Sequence, residues 1–206
     1  LGGAFVTPAE GGVAFAGPIE LAYHANLESR LASRILWQVA HGGYRDTDEL
    51  YALARGVAWG RHFAVARTLR VDVAATRSPL SSIEFATLKV KDAVCDRFRA
   101  DSGRRPSIDK ERPDVRVHAY LTEREATLYL DTSGDALFKR GWRRDAEVAP
   151  LRENLAAGVL ALCGWAPGMP LLDPMCGSGT IAIEAALQAA DFAPGLQRTF
   201  GFQKLA

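Results

Sequence analysis

Along this chain the spacing of apolar positions switches between a helical and a strand period, and each switch predicts an element. Gly11-Gly12-Val13-Ala14-Phe15 reads as a short strand after a glycine turn. Between residues 19 and 39, Leu27, Leu31, Ile35 and Val39 recur at four-residue steps, which predicts one amphipathic helix. Asp46, with Glu49 three residues later, resembles a helix cap and opens a second helix through about residue 54. Leu69, Val71 and Val73 alternate with Arg70 and Asp72, the pattern of a half-buried strand. Ser81 and Glu84 form an S-x-x-E capping box for a helix reaching about residue 98, with Ile83, Ala86, Val90, Ala93 and Val94 inward. Val115, Val117, Ala119 and Leu121 alternate with polar neighbours, as do Ala126, Leu128 and Leu130, giving a hairpin around Glu123-Arg124. These elements make an α+β unit that ends near Asp131.

A different pattern follows. Leu171-Leu172-Asp173 is an apolar strand that ends in an acid. Pro174-Met175-Cys176-Gly177-Ser178-Gly179-Thr180 then turns the chain into an Ala-rich helix that begins Ile181-Ala182-Ile183-Glu184-Ala185-Ala186. Such a strand, glycine loop and helix hold nucleotide-like cofactors at the carboxyl end of a parallel strand. Gly177 and Gly179 can take backbone angles closed to other residues and let a ligand approach the main chain. The first-turn amides of the helix have no internal partners and point into the loop. Ser178 and Thr180 can add hydroxyls or cap the helix, and Asp173 is placed to accept hydrogen bonds. A carboxylate there argues against a triphosphate, and no GxxxxGK[ST] loop is present. The dinucleotide fingerprint fits imperfectly, because the third small position is Ala182. On spacing alone, a plain glycine turn between core elements stays open. Glu184 reads equally as closing a cofactor pocket or as an acid favoured by the helix dipole.

The full string D-P-M-C-G-S-G-T-I-A-I-E-A-A closely resembles the S-adenosylmethionine-binding motif of class I methyltransferases that modify RNA or DNA bases. The resemblance extends through Leu128-Tyr129-Leu130-Asp131-Thr132-Ser133-Gly134, Lys139-Arg140-Gly141-Trp142-Arg143 and Ala149-Pro150-Leu151-Arg152-Glu153-Asn154. With Leu31-Ala32-Ser33-Arg34, residues 86–93 and Ala193-Pro194-Gly195-Leu196, the chain resembles the THUMP-containing bacterial methyltransferases that make N2-methylguanine in 23S ribosomal RNA. The resemblance implies an α+β ferredoxin-like/THUMP RNA-binding region followed by the start of an α/β Rossmann-like methyltransferase domain, truncated. Its implied divisions are a ferredoxin-like element over 1–45, a THUMP domain over 46–133, a linker over 134–149 and the methyltransferase start over 150–206. It implies S-adenosylmethionine (SAM) as cofactor, held by Asp173, Pro174, Met175, Cys176, Gly177, Ser178, Gly179, Thr180 and Glu184. It implies ribosomal RNA as partner.

Composition changes this picture little. Hydrophobic content of 48% and charged content of 24% describe an ordinary globular chain, with room in 206 residues for one large or two small domains. No apolar run approaches a membrane span, and residues 1–15 lack a secretory pattern. Cys95, Cys163 and Cys176 are widely spaced, so neither a disulfide framework nor a zinc site is suggested, and a reducing cytoplasm is expected. His24, His41, His62 and His118 show no metal or nucleophile spacing. A formal net charge of +1 means that any RNA surface must come from local clustering. Clusters exist at Lys89 and Lys91, at Arg104 and Arg105 with Lys110 and Arg112 beyond, and at Lys139, Arg140, Trp142, Arg143 and Arg144. In the last, an indole ring offers a stacking surface for a base. Each pair alone reads as solvated surface; the resemblance makes Lys89, Lys91, Arg104, Arg105, Lys139, Arg140, Trp142 and Arg143 the expected RNA contacts.

The chemistry that the resemblance implies is incomplete in this chain. The acceptor base would be gripped by an Asn- or Asp-Pro-Pro-Tyr-like motif, and none occurs from Ile181 onward. No acid follows at a spacing suited to ribose hydroxyls; Asp191 lies too near the helix. The segment 170–173 would be a central strand without neighbours. The expectation is a part of a longer methyltransferase, which by itself transfers no methyl group and in which no catalytic residue is assigned. Two alternatives stay open: an RNA-binding module without catalysis, and a DNA adenine-N6 methyltransferase, which uses similar motifs.

Overall fold

The structure is a computed structural model and describes residues 4–9, 11–143 and 151–205. Leu1-Gly2-Gly3, Arg144, Ala149, Pro150 and the 144–149 part of the expected linker lie outside the described residues. The elements run β1 (Ala4–Ala9), β2 (Gly12–Ala16), α1 (Ile19–Glu28), β3 (Leu36–Gly43), α2 (Thr47–Gly56) and β4 (Leu69–Ala75). They continue with α3 (Ile83–Ser102), β5 (Val115–Leu121), β6 (Glu125–Asp131), α4 (Glu153–Leu162) and α5 (Thr180–Ala189), with 3-10 turns at Trp59–Arg61 and Gly201–Lys204. Two compact units divide the chain: Leu1–Ile35 with Asp135–Phe200, and Leu36–Gly134 with Gly201–Ala206. The division expected at 45/46 therefore falls instead after Ile35, because β3 pairs inside the second unit.

In the second unit a four-stranded sheet has the order β3-β6-β5-β4. β4 and β5 are parallel, which requires the long crossover that α3 supplies, while β6 is antiparallel to both its neighbours. The period-two pattern decides which face is covered. Val115, Val117, Ala119 and Leu121 are buried together with Ala126, Leu128 and Leu130, and with Ala86, Val90, Ala93, Val94 and Phe98 of α3. Those α3 positions recur at helical spacing, so one stripe of the helix meets one face of the sheet. Trp59 and Phe63 fill this core without solvent exposure, and the Trp59 indole donates to the Ala54 carbonyl at 2.8 Å. Truncating either ring to Ala would cost about 3–5 kcal/mol.

The caps are those the sequence indicates, with two changes. Asp46 accepts from the amides of Asp48 and Glu49. Glu49 does not reciprocate, because its carboxylate is taken by the Arg45 amide and guanidinium. For α3 the N-cap is Ser82, not Ser81: the Ser82 hydroxyl accepts from the Phe85 amide at 3.1 Å. The helix ends at Gly103, whose φ of 70° only glycine adopts readily.

In the first unit the helix expected over 19–39 stops at Glu28. The four-residue spacing misleads there, because Ile35, Trp37 and Val39 also fit a period of two, and β6 offers a strand to pair with. The chain between is bound locally: Ser29 accepts from the Ala32 amide, and the Arg30 carbonyl accepts from Arg140. The strand expected over 11–15 is β2, paired antiparallel with a β1 that the spacing did not reveal. α4 and α5 pack together and bury Ala156, Ala157, Leu160 and Ala185. The segment 171–173 is in no strand, and Leu172 is 87% exposed. No described strand lies beside it to satisfy its backbone groups, so the expected parallel-sheet strand does not form.

Candidate functional site

Residues 173–180 form an open loop at the entrance to α5. The Asp173 carboxylate folds back so that Oδ1 accepts from the Met175 amide at 3.1 Å. Its other oxygen, Oδ2, is buried and has no partner, which leaves an acceptor aimed away from solvent and unused. Gly177 and Gly179 have φ of 50° and 76°, and space within 4 Å of either is empty of other atoms where a Cβ would stand. Gly179 is the N-cap and has no side chain, so no side chain caps the first-turn amides of α5. Met175 and Cys176 are exposed. An orphan carboxylate oxygen, bare glycines and uncapped amides suit a ligand with hydroxyl or amine donors and a nearby acceptor edge. The cofactor that the resemblance implies has such groups, and the residues present fit it.

Beside the loop stand polar groups paired within the first unit. Thr180 is buried; its hydroxyl accepts from Arg143 at 3.1 Å and lies 3.3 Å from that of Ser178. Arg143 also pairs with the buried Glu153 at 3.0 Å and lies over the Trp142 ring, its guanidinium carbon 5.2 Å from the centroid. Glu184 is 0% exposed and takes Arg140 Nε at 3.3 Å. Arg140 in turn donates to the carbonyls of Leu137 and Arg30, and Arg30 donates to the Phe192 carbonyl just past α5. A cavity of 240 Å³ beside this helix is lined by Arg140, Trp142, Ile183, Leu187, Phe192, Pro194 and Gln197, and not by the loop.

These contacts revise several expected roles. Arg140 is 3% exposed and wholly engaged, so it is not available to an RNA phosphate. Glu184 is the buried partner of Arg140 through Oε1, and its Oε2 is buried without a hydrogen-bond partner. Arg143 and the face of Trp142 are occupied by each other and by Glu153. Arg30 and Glu153 were not visible as part of this constellation. Arg30 meets the Phe192 carbonyl, just past α5, across 162 positions of sequence, a separation that no local spacing reports.

In the second unit, Arg104 and Arg105 follow the end of α3, and among the described residues no ion pair engages either. Lys89 is held by Asp48 at 2.8 Å and lies over the rings of Tyr51 and Phe85; the hydrogen bond to Asp48 raises its pKa. Lys91 pairs with Asp92 at 2.8 Å, and in the first unit Lys139 pairs with Asp135 at 3.9 Å. Burial pushes the Cys95 thiol up, away from nucleophilic use. Among the described residues, no group of three or more His, Cys, Asp or Glu side chains is arranged to hold a metal, and no helix is long and apolar enough to cross a membrane.

Three family models match the chain. They are an RlmL ferredoxin-like domain over residues 1–36, a THUMP domain over 44–131 and an RMKL-like methyltransferase domain over 140–206. A ribosomal RNA large subunit methyltransferase K/L of Syntrophotalea carbinolica is 50% identical over 97% of this chain, which spans 29% of that protein's length. Among solved structures, a predicted N6-adenine-specific DNA methylase from Listeria monocytogenes matches with a TM-score of 0.87 at 32% identity, covering 97% of this chain and 52% of its own. SMU.472, a methyltransferase solved with SAH, matches with a TM-score of 0.85 at 32% identity, covering 97% and 53%. The chain thus spans less than a third of the curated relative and about half of the solved chains it matches.

Proposed function

We propose, for a chain that carries RlmL ferredoxin-like, THUMP and RMKL-like methyltransferase domains and so belongs to the THUMP-containing methyltransferases, that it serves SAM-dependent methylation of large-subunit ribosomal RNA. The acceptor is a guanine N2. The observation that carries this reading is the 173–180 loop, with its orphan Asp173 oxygen, two left-handed glycines and uncapped helix amides. SAM supplies a methyl group on a sulfonium. The chain's own task is to hold that cofactor with its methyl presented in a fixed direction, which is what positioning contributes to such a transfer. The Asp173 carboxylate would accept from the ligand, and Gly177 and Gly179 would let it approach the backbone. Thr180 in the first turn of α5 and Glu184 in the second hold the helix in place through Arg143 and Arg140.

The second unit docks the RNA, with Arg104 and Arg105 as phosphate contacts, and a base stacked in a duplex must be extruded before its exocyclic amine can be reached. The chain contains no Asn- or Asp-Pro-Pro-Tyr-like segment after α5. The residues of this chain supply cofactor holding and RNA docking.

A second reading is favoured by the description of the Listeria relative, namely adenine-N6 methylation of DNA. The test is to give the protein isotopically labelled SAM with either 23S ribosomal RNA or duplex DNA, for this chain and for a longer form of it. Label in N2-methylguanine from the RNA is expected from the longer form, with none from this chain alone. Label in N6-methyladenine from the DNA would replace the proposal with the second reading.

A further inference from the structure

The helices of the second unit cover one face of its sheet, and the other face has a composition that the RNA-docking residues considered so far do not use. The strand register places Asp72, His118, Tyr129 and Gln38 in one row across β4, β5, β6 and β3. The next row runs Ala74, Tyr120, Thr127 and His41. Cross-strand neighbours in such rows stand about 5 Å apart, so their side chains form a continuous surface. His118 Nε2 lies 3.5 Å from Asp131 Oδ2, while Tyr120 is hydrogen-bonded to Thr76 at 3.0 Å and His41 to Thr127 at 3.0 Å. Tyr129, half-buried in their midst, has neither a hydrogen bond nor a ring partner among the described residues. Arg116, one step along β5, has no ion pair among them either.

The same face runs into the basic loop. Arg70 projects from β4 opposite Arg116, pairs with Asp72 at 2.7 Å and donates to the Lys110 carbonyl at 2.7 Å. Ile108 bridges to the start of β4, which seats residues 104–112 at that end of the sheet. In this segment Arg104, Arg105, Lys110 and Arg112 outnumber Asp109 and Glu111, so cations prevail at one end, and planar rings stand on the flat surface beyond. Duplex RNA offers phosphates and sugar hydroxyls but hides the faces of its bases, whereas a single strand offers both.

We propose that this open sheet face binds a single-stranded segment of RNA, with phosphates on Arg116 and the 104–112 loop and a base stacked on Tyr129. The inference rests on the reading that the second unit docks RNA. It adds which surface does so and which form of RNA it takes.

The test is fluorescence anisotropy of labelled RNA with this chain, using a single-stranded oligonucleotide and a blunt duplex of the same sequence. The wild-type chain is expected to favour the single strand. Tyr129→Ala should weaken single-strand binding about tenfold, the scale of a lost base stack, without changing its salt dependence. Tyr129→Phe, which keeps the ring, should bind as the wild type does. Arg116→Ala should weaken binding and lower the salt slope by about 0.7. If Tyr129→Ala and Arg116→Ala bind single strands like the wild type while Arg104→Ala weakens them, RNA docks on the loop alone and the sheet-face proposal is wrong. Equal or tighter binding of the duplex would also overturn it. Failure of the wild type to bind either RNA would remove the docking reading itself, a result distinct from the first two.

Discussion

The Arg140 guanidinium lies 3.3 Å from the Glu184 carboxylate, and both side chains are closed to solvent. One end of this pair belongs to the approach to α4 and the other to the second turn of the helix behind the cofactor loop. A buried charge with its partner removed is far costlier than the pair was favourable. Arg140→Ala is therefore expected to destabilise the first unit by about 3–5 kcal/mol. The double variant Arg140→Met with Glu184→Leu should recover most of that loss. Denaturant unfolding, followed by hydrogen exchange in α5, reads both; a double variant as unstable as the single one would mean that the pairing is not what the site needs.

Cofactor affinity should depend on Asp173 and Gly177 for different reasons. Asp173→Ala removes the orphan acceptor, whereas Gly177→Val forces a β-branched residue to a φ of 50°. Both should abolish SAM binding by titration calorimetry while leaving RNA affinity within about twofold. Because space around the Gly177 Cβ position is empty, Gly177→Ala should show the strain alone and lose less. A Gly177→Ala variant as impaired as Gly177→Val would point to direct ligand contact at that position.

Removing charge at Arg104 and Arg105 together should weaken RNA binding and flatten its dependence on salt. Each lost phosphate contact to a single strand lowers the slope of log affinity against log salt by about 0.7, so the pair should lower it by about 1.4. SAM affinity should not move. An unchanged salt slope would show that neither arginine meets a phosphate.

Acid should loosen the second unit through His62. Burial lowers its pKa, and the Arg61 charge adds to the effect. Its ring stands edge-on to Trp37 at 5.0 Å between centroids, and Nδ1 is buried without a partner. The folded state thus resists a proton that the unfolded chain accepts near pH 6.5. Stability is fully present above that value and falls as the pH drops toward the lower folded-state pKa. His62→Gln should lose this acid limb, measured as the slope of unfolding midpoint against pH below about 6.5. A variant with the same slope as the wild type would assign the limb to other groups.

What could be read before folding, and what could not, divides by distance along the chain. The Asp46 cap, the stripe of α3 and the β5–β6 hairpin all depend on residues within a few positions of each other, and all are where the spacing puts them. The loop into α5 is equally local, and its glycines adopt the left-handed angles that their type suggests. The end of α1 was illegible because Ile35, Trp37 and Val39 satisfy two periods, and β6, more than ninety residues on, decides between them. Arg140 has the composition of a surface cluster with Lys139 and Trp142. Only the approach of Arg30 and Glu184, from opposite ends of the chain, turns it inward.

One register pair reaches further than the sheet it closes. Leu36, where the chain enters the second unit, sits directly opposite Asp131, where it is about to leave. Topologically, then, residues 36–134 of the second unit are a loop let into the sequence of the first unit, with its two ends side by side. Only the turn at Gly201–Lys204, whose Phe202 amide donates to the Thr132 carbonyl, lies on the second unit from later in the chain. A chain wired this way can exchange its second unit as a cassette, cut and rejoined at adjacent points, without redrawing the helix that follows the glycine loop.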